Sequence, residues 1–238
     1  ALAGYEGGDL YLVVQNMQAS VGYIEVKSIT LKAGEITNVK DGSSLKRAYG
    51  DMFGKVGNAL VGNQMTDKNC VNFTASQYNS VTMGNEMKPD SLLKNWNPTF
   101  SDTNPEGYVD TAKFTYKYKD SKYPVIDMDS IDTYINVAYQ NGMKMRFHVF
   151  VWHKQTPQWF FKENFNKNGA YVSKEVMDGR LEYLVRNVMT HIYSYKNSDG
   201  VYVGREVIDN WDMANEYTHN NDGGEKSYWD EVYYPDYE

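Results

Sequence analysis

Four times in this chain a short apolar strand runs directly into a polar, aromatic-rich loop: at residues 55–63, 80–90, 143–155 and 207–216. Between these units lie stretches whose apolar residues recur at helical spacing, so strands and helices alternate along the chain. Such alternation calls for a parallel sheet with helices packed on its outside and polar groups gathered where the strands end. The fourth unit reads Val-Ile-Asp-Asn-Trp-Asp-Met-Ala-Asn-Glu, and it brings an amide, Asn215, and a carboxylate, Glu216, to the far end of a strand.

The third strand has the clearest pattern. Met143, Met145, Phe147, Val149 and Val151 alternate with Arg146, His148, Phe150 and Trp152, the period of two of a pleated strand. A parallel strand is covered on both faces, so Arg146 and His148 are expected to be buried and to share a polar network. Around it the remaining elements fall into order. A helix is expected over residues 45–53, strand one at 56–61, a helix starting at Thr66 or Asp67 and strand two at 80–83. A later helix begins at Asp129 or Ser130, places Ile131, Tyr134, Ile135, Ala138 and Tyr139 on one face, and ends at Gly142. Another is capped by the hydroxyl of Ser173 and carries Met177, Leu181, Leu184, Val188 and Ile192, before Asp199 and Gly200 break the pattern. From residue 95 to 128 periodicity is lost, except that 113–119 alternates as a surface strand would; an excursion of this length is expected to shape a wall of a cleft.

At the N-terminus, residues 9–15 and 22–31 read as two strands of a hairpin, and 35–44 as a linker. Composition excludes several classes of function. A net charge of −7 with both signs interspersed offers no footprint for phosphate backbones, so nucleic acid is not expected as a partner. The apolar runs are too short for a membrane span. Cys70 is the single cysteine and cannot form an internal disulfide. His148 and His153 invite a metal reading, but no third ligand stands at a credible spacing, and no metal is expected. The 21 tyrosines and five tryptophans suit a groove that stacks sugars and suit a protein interface equally well.

Three stretches carry a more specific signal: Ser-Val-Thr-Met-Gly-Asn-Glu-Met-Lys-Pro-Asp at 80–90, Arg-Phe-His-Val-Phe-Val-Trp-His-Lys-Gln-Thr-Pro-Gln-Trp at 146–159, and Trp-Asp-Met-Ala-Asn-Glu at 211–216. Together, in this order and spacing, they resemble the signatures of the family 10 glycoside hydrolases, the endo-β-1,4-xylanases of α/β (β/α)8 TIM-barrel fold. The resemblance runs from about residue 45 to 228. It implies a retaining hydrolase of β-1,4-xylosidic bonds that needs no cofactor, acts on xylan or xylo-oligosaccharide, and is secreted or held at the cell surface. Residue by residue, it implies that Glu216 is the acid/base catalyst and Asn215 the amide that binds the sugar 2-hydroxyl. His148, Trp152, His153 and Gln155 fall at cleft positions after strand three, and Asn85 and Lys88 at sugar-binding positions after strand two.

Two departures stand out. Gly84 occupies a position where the family has a glutamate, and Pro89 one where it has a tryptophan, which removes a polar clamp and an aromatic wall. The resemblance also places the nucleophile glutamate at the end of a seventh strand, whereas only strands one to four are expected here. A complete barrel takes about 250 residues. By the resemblance Glu86 lies in a sugar-binding loop, while Glu225, Glu231 and Glu238 fall in what reads as an unordered acidic tail, so none is expected to replace the nucleophile. The expected organisation is a β segment at 1–34, a linker at 35–44, and the first half of the barrel at 45–238, with the other half on another chain or beyond this segment. The β segment resembles the tail of a jelly-roll carbohydrate-binding module, or else is a hairpin packed on the barrel. Two further functions stay open: a glycan-binding half-barrel without catalysis, and a β-1,4-glucanase of the same fold.

Overall fold

The computed structural model describes residues 44–216 and 226–234. The expected β segment at 1–34, the linker up to residue 43, the loop at 217–225 and the tail at 235–238, with Glu225 and Glu238, lie outside the described residues. The chain divides into two units, Ala1–Gly54 and Lys55–Glu238. Of the first, the described part is helix α1, Leu45–Phe53, where Ser44 Oγ accepts from Arg47 N and Gly54 closes the helix at a φ of 69°.

The second unit runs β1 (Gly57–Leu60), α2 (Gly62–Thr66), α3 (Lys68–Gln77), β2 (Ser80–Met83) and α4 (Pro89–Leu92). There follow β3 (Phe100–Ser101), β4 (Tyr123–Pro124), α5 (Asp129–Gln140), β5 (Lys144–Val151), α6 (Lys174–Ser194), α7 (Val203–Val207), β6 (Ile208–Ala214) and α8 (Tyr228–Tyr233). The principal sheet has the order β1-β2-β5-β6, and every neighbouring pair is parallel. Each strand therefore lies beside its predecessor, with a helix on every crossover. The order never reverses, as it would in a doubly wound sheet, and this α/β arrangement is consistent with part of a TIM-barrel core. No helix among the described residues is long and apolar enough to cross a membrane.

The core follows the expected faces with informative exceptions. Met145 and Phe147 of β5 are fully buried, as are Ile135 and Ala138 of α5 and Met177 and Val188 of α6. Each large apolar side chain among them contributes about 1.5–3 kcal/mol by leaving water. Tyr139, expected inside, is exposed, and Leu181 is half-buried. On the other face of β5, Phe150 is buried against Phe147 and Trp211, at ring-centroid distances of 4.5 and 6.0 Å, while Arg146 is exposed rather than enclosed. The alternation fails there because the β5–β6 register shifts between His148 and Val151, turning successive aromatic residues into one cluster.

Helix ends also depart from expectation. The hydroxyl of Ser173 hydrogen-bonds Glu175 and makes no cap, and the first N–H of α5 is met by Asp127 instead of by a cap at Asp129 or Ser130. Glu231, expected in an unordered tail, belongs to α8. Gly142, at a φ of 64°, follows α5 as expected.

The surface strand expected at 113–119 does not form; a 3-10 turn at Thr111–Lys113 leads into extended chain, and the antiparallel pair β3-β4 lies elsewhere in the excursion. With no ladder, the backbone of this segment takes its hydrogen bonds from side chains of α6. Asn187 accepts from Val109 N at 2.6 Å, and the two oxygens of Glu182 accept from Thr115 N and Tyr116 N at 2.8 and 2.6 Å. Gly179 lets the segment touch the helix, since a Cβ there would lie 2.7 Å from Lys117 O. Arg180 completes the anchor. Almost fully buried, its guanidinium binds Asp120 through two nitrogens and gives its third to the carbonyls of Phe160 and Lys162, 2.7 and 2.9 Å away.

Arg180 thus joins the excursion to the loop after β5. Arg180→Leu is expected to destabilise the chain by about 3–5 kcal/mol in urea unfolding, because it strands a carboxylate and two carbonyls. The double variant with Asp120→Leu is expected to recover part of that loss, since no unpaired buried charge remains.

Candidate active site

The C-terminal ends of β2, β5 and β6 lie side by side, so the loops that follow them share one end of the sheet. Beyond β2, Gly84 continues the ladder by donating to Leu60 O at 2.7 Å. A Cβ at this position would sit 3.0 Å from Val61 Cγ1, so a larger side chain needs that valine side chain to give way slightly. The carboxylate of Glu86 accepts from Gly62 N at 2.6 Å and from Asn85 N at 3.1 Å, tying the loops after β1 and β2 together. Pro89 opens α4 at its first turn, where its missing N–H costs nothing.

The expected site residues meet here as a chain of contacts. Lys88 Nζ donates to Gln155 Oε1 at 2.6 Å and to Asn85 Oδ1 at 3.4 Å, and Gln155 Nε2 donates to Asn85 Oδ1 at 3.1 Å. The same ammonium stands 4.6 Å from the centre of the Trp152 ring. Trp152 in turn donates its indole N–H to Glu216 Oε2 at 2.8 Å, and His153 Nε2 lies 3.9 Å from that oxygen. Asn85, Lys88, Trp152, His153, Gln155 and Glu216 are therefore brought together across three strand ends. Asn215 sits beside them through its backbone, its N–H donating to Val151 O at 2.9 Å and carrying the β5–β6 ladder past the last strand residue.

Backbone conformation and charge mark the same place. Gln155 and Glu216 have φ values of 50° and 48°, in the left-handed region that costs a residue with a side chain about 1–3 kcal/mol. Both carry their side chains into the cluster. Lys88 is buried, and desolvation lowers its pKa below the ordinary lysine range, against the opposing pull of the charges on Glu86 and Glu216. Burial raises the pKa of Asp90, whose backbone N–H donates to Gln155 O.

His148 belongs to a second cluster. Its Nδ1 lies 2.9 Å from Asp212 Oδ2, while Arg146 donates through Nε and Nη2 to Asp212 Oδ1 at 2.9 and 2.6 Å. The parallel register places His148 opposite Asp212. Burial pushes the Asp212 carboxyl up, but the hydrogen bonds and charges of Arg146 and His148 outweigh it and hold the group below the usual carboxylate range. An ionised Asp212 only accepts, so the proton between it and His148 resides on Nδ1. Asp212 was not singled out from the sequence. The available signal was Arg146 and His148 sharing one face of a strand, which calls for a carboxylate on the neighbour.

The cluster offers a carboxyl held by an indole N–H, beside amides and an ammonium that suit neutral hydroxyl groups. Glu86 and Asp212 are committed elsewhere, the first to backbone amides and the second to Arg146 and His148.

Residues 44–237 match the model of the family described as Glycosyl hydrolase family 10. The chain is 39% identical over 196 residues to endo-1,4-beta-xylanase A of Butyrivibrio fibrisolvens, covering 80% of this chain and 43% of that protein. It is 31% identical over 234 residues to endo-1,4-beta-xylanase A of Thermotoga maritima, covering 96% of this chain and 18% of the other. Among solved structures, the CBM22-1–GH10 modules of endo-1,4-beta-D-xylanase 10B of Clostridium thermocellum, complexed with xylohexaose, superpose with a TM-score of 0.58 at 26% identity. That match covers 81% of this chain and 34% of the other. The chain spans less than half the length of these curated relatives.

Because Asp212 ionises more readily in the folded than in the unfolded chain, its contribution to stability is present above the ordinary carboxylate pKa of about 3.9. That contribution is lost as pH falls through its lower folded value. Asp212→Asn is therefore expected to melt at a lower temperature than the native chain at neutral pH, and the gap to narrow as pH drops below about 4. Thermal denaturation followed by circular dichroism across this range measures the gap.

Proposed function

The chain belongs to glycosyl hydrolase family 10, and from that premise we propose that it carries the acid/base half of a retaining endo-β-1,4-xylanase. The observation that carries this reading is the placement of Glu216 at the end of β6, bonded to the Trp152 indole and flanked by the Asn85–Lys88–Gln155 cluster. In the proposed reaction, Glu216 protonates the glycosidic oxygen as the bond to the leaving sugar breaks. A second carboxylate attacks the anomeric carbon, and Glu216 then takes a proton from the water that releases the glycosyl-enzyme. Asn215 binds the 2-hydroxyl, where hydrogen bonds strengthen in the transition state. His148, Trp152 and His153 line the cleavage position, and Asn85, Lys88 and Gln155 hold the neighbouring sugar.

The nucleophile is proposed to come from outside this segment, at the end of a seventh strand as the family resemblance implies; Glu86 and Asp212, beside the cluster, have other partners. Residues 45–238 then form strands one to four of a (β/α)8 barrel, and β6 pairs with a strand of the remaining half. Residues 1–34, joined by a linker at 35–44, are proposed to be the tail of a carbohydrate-binding module. The alignment with the Thermotoga maritima protein covers nearly the whole chain and so supports a related segment there. A secreted or cell-surface location is part of this proposal, since intact xylan is too large to enter a cell before it is cut. If the complete protein provides no second carboxylate, the same cluster serves as a glycan-binding half-barrel.

Two outcomes test the reading. Residues 1–238 alone are expected to release no measurable reducing sugar from xylan, and adding the remaining half to restore turnover. In the complete protein, Glu216→Gln is expected to lower xylan cleavage by a factor on the order of 10²–10⁴ while xylo-oligosaccharide affinity stays within a few-fold. With an activated aryl xyloside, that variant should show a burst followed by rescue with azide, which needs no base. Normal xylan cleavage by Glu216→Gln would remove Glu216 from the acid/base role.

A further inference from the structure

Trp96, in the excursion after α4, is 76% exposed, and its indole makes no hydrogen bond or ring contact with any described residue. A single exposed apolar residue is ordinary. The setting of this one is specific. Trp96 lines two clefts, of about 710 Å³ and about 320 Å³. Gln155 and Asp90 line the first, Asn85 and Lys94 the second, so each cleft contains one of the amides of the candidate site.

The backbone around Trp96 is pinned on both sides. Asn95 N donates to Asp90 O at 2.9 Å and Asn97 N to Lys94 O at 2.8 Å. Lys94 turns the chain at a φ of 48° and its ammonium pairs with Asp127 Oδ2 at 2.8 Å. Asp90 is itself bonded to the loop of Gln155, through Asp90 N to Gln155 O at 2.9 Å. The backbone that carries the indole is therefore fixed relative to the loop of Gln155. A flat ring bordered by amides matches a pyranose, whose C–H face packs on the aromatic plane while its hydroxyls reach the amides at the edge.

We propose that Trp96 is a stacking platform for a further sugar of the same chain, one that lies beyond the residues held by Asn85, Lys88 and Gln155. The proposal rests on the glycan reading of that cluster. It implies that affinity depends on chain length through Trp96, whereas Asn85 acts on short and long ligands alike.

Isothermal titration of the 238-residue chain with linear xylo-oligosaccharides from two to six sugars tests this. Affinity is expected to rise with length in the native chain. Trp96→Ala should flatten that rise, weakening the six-sugar ligand about fivefold to tenfold and leaving the shortest bound ligand unchanged. Trp96→Tyr should restore most of the loss because it returns an aromatic face, and a mere structural role for the tryptophan would not produce this dependence on length. An unchanged length dependence in Trp96→Ala, with Asn85→Ala weakening every ligand, would overturn the platform and leave the glycan site standing. No binding by the native chain at any length would overturn both.

Discussion

The parallel pairing of β5 with β6 is the constraint on which the site depends. A parallel ladder sets its two strands in fixed register, so both deliver their terminal residues to the same end. Here that register puts His148 opposite Asp212 and carries on through Asn215 N to Val151 O. The indole of Trp152 can then reach Glu216, although 64 residues separate them in sequence. The Arg146–Asp212–His148 cluster adds a charged cross-strand clamp just below. Because β6 is the edge of the sheet among the described residues, this clamp and the ladder from β5 hold its end in place.

The carboxylates of the two clusters differ in how far their oxygens are occupied. Asp212 has its acceptors occupied by a guanidinium and an imidazole, which keep it ionised and fix the proton of His148. Among the described residues Glu216 accepts one hydrogen bond, from the Trp152 N–H, and its side chain is half exposed. Lys88 stands between the amides and the carboxylate as a buried ammonium whose charge is opposed by desolvation and favoured by Glu86 and Glu216. Glu86, in the loop that the family resemblance associates with sugar binding, ties the loops after β1 and β2 together.

What could be read from sequence was whatever is written in local period or local motif. β2, α1, β5 and α5 follow from spacing, because their apolar positions repeat at the period of the element they form. The motifs placed Asn85, Lys88, Trp152, His153, Gln155 and Glu216 at strand ends, and the fold joins them. The excursion was illegible for a physical reason. Its order comes from Glu182, Arg180 and Asn187, about 60 to 80 residues away in sequence, so the alternation at 113–119 reflects Phe114 and Tyr118 packing inward rather than a ladder. Arg146 was expected inside because a barrel strand is covered on both faces, but the described sheet leaves that face open. Asp212 escaped notice because its meaning depends on which strand lies beside it.

The central claim is that Asn85, Gln155, Trp152 and Glu216 form one glycan site. Its most direct test is a nitrogen-15 NMR titration of this chain with xylohexaose, following the indole N–H of Trp152 and the side-chain amides of Asn85 and Gln155. The account predicts that these resonances shift together and fit one dissociation constant. If they stay fixed while other residues respond, or if nothing in the spectrum moves, the site has been wrongly assigned.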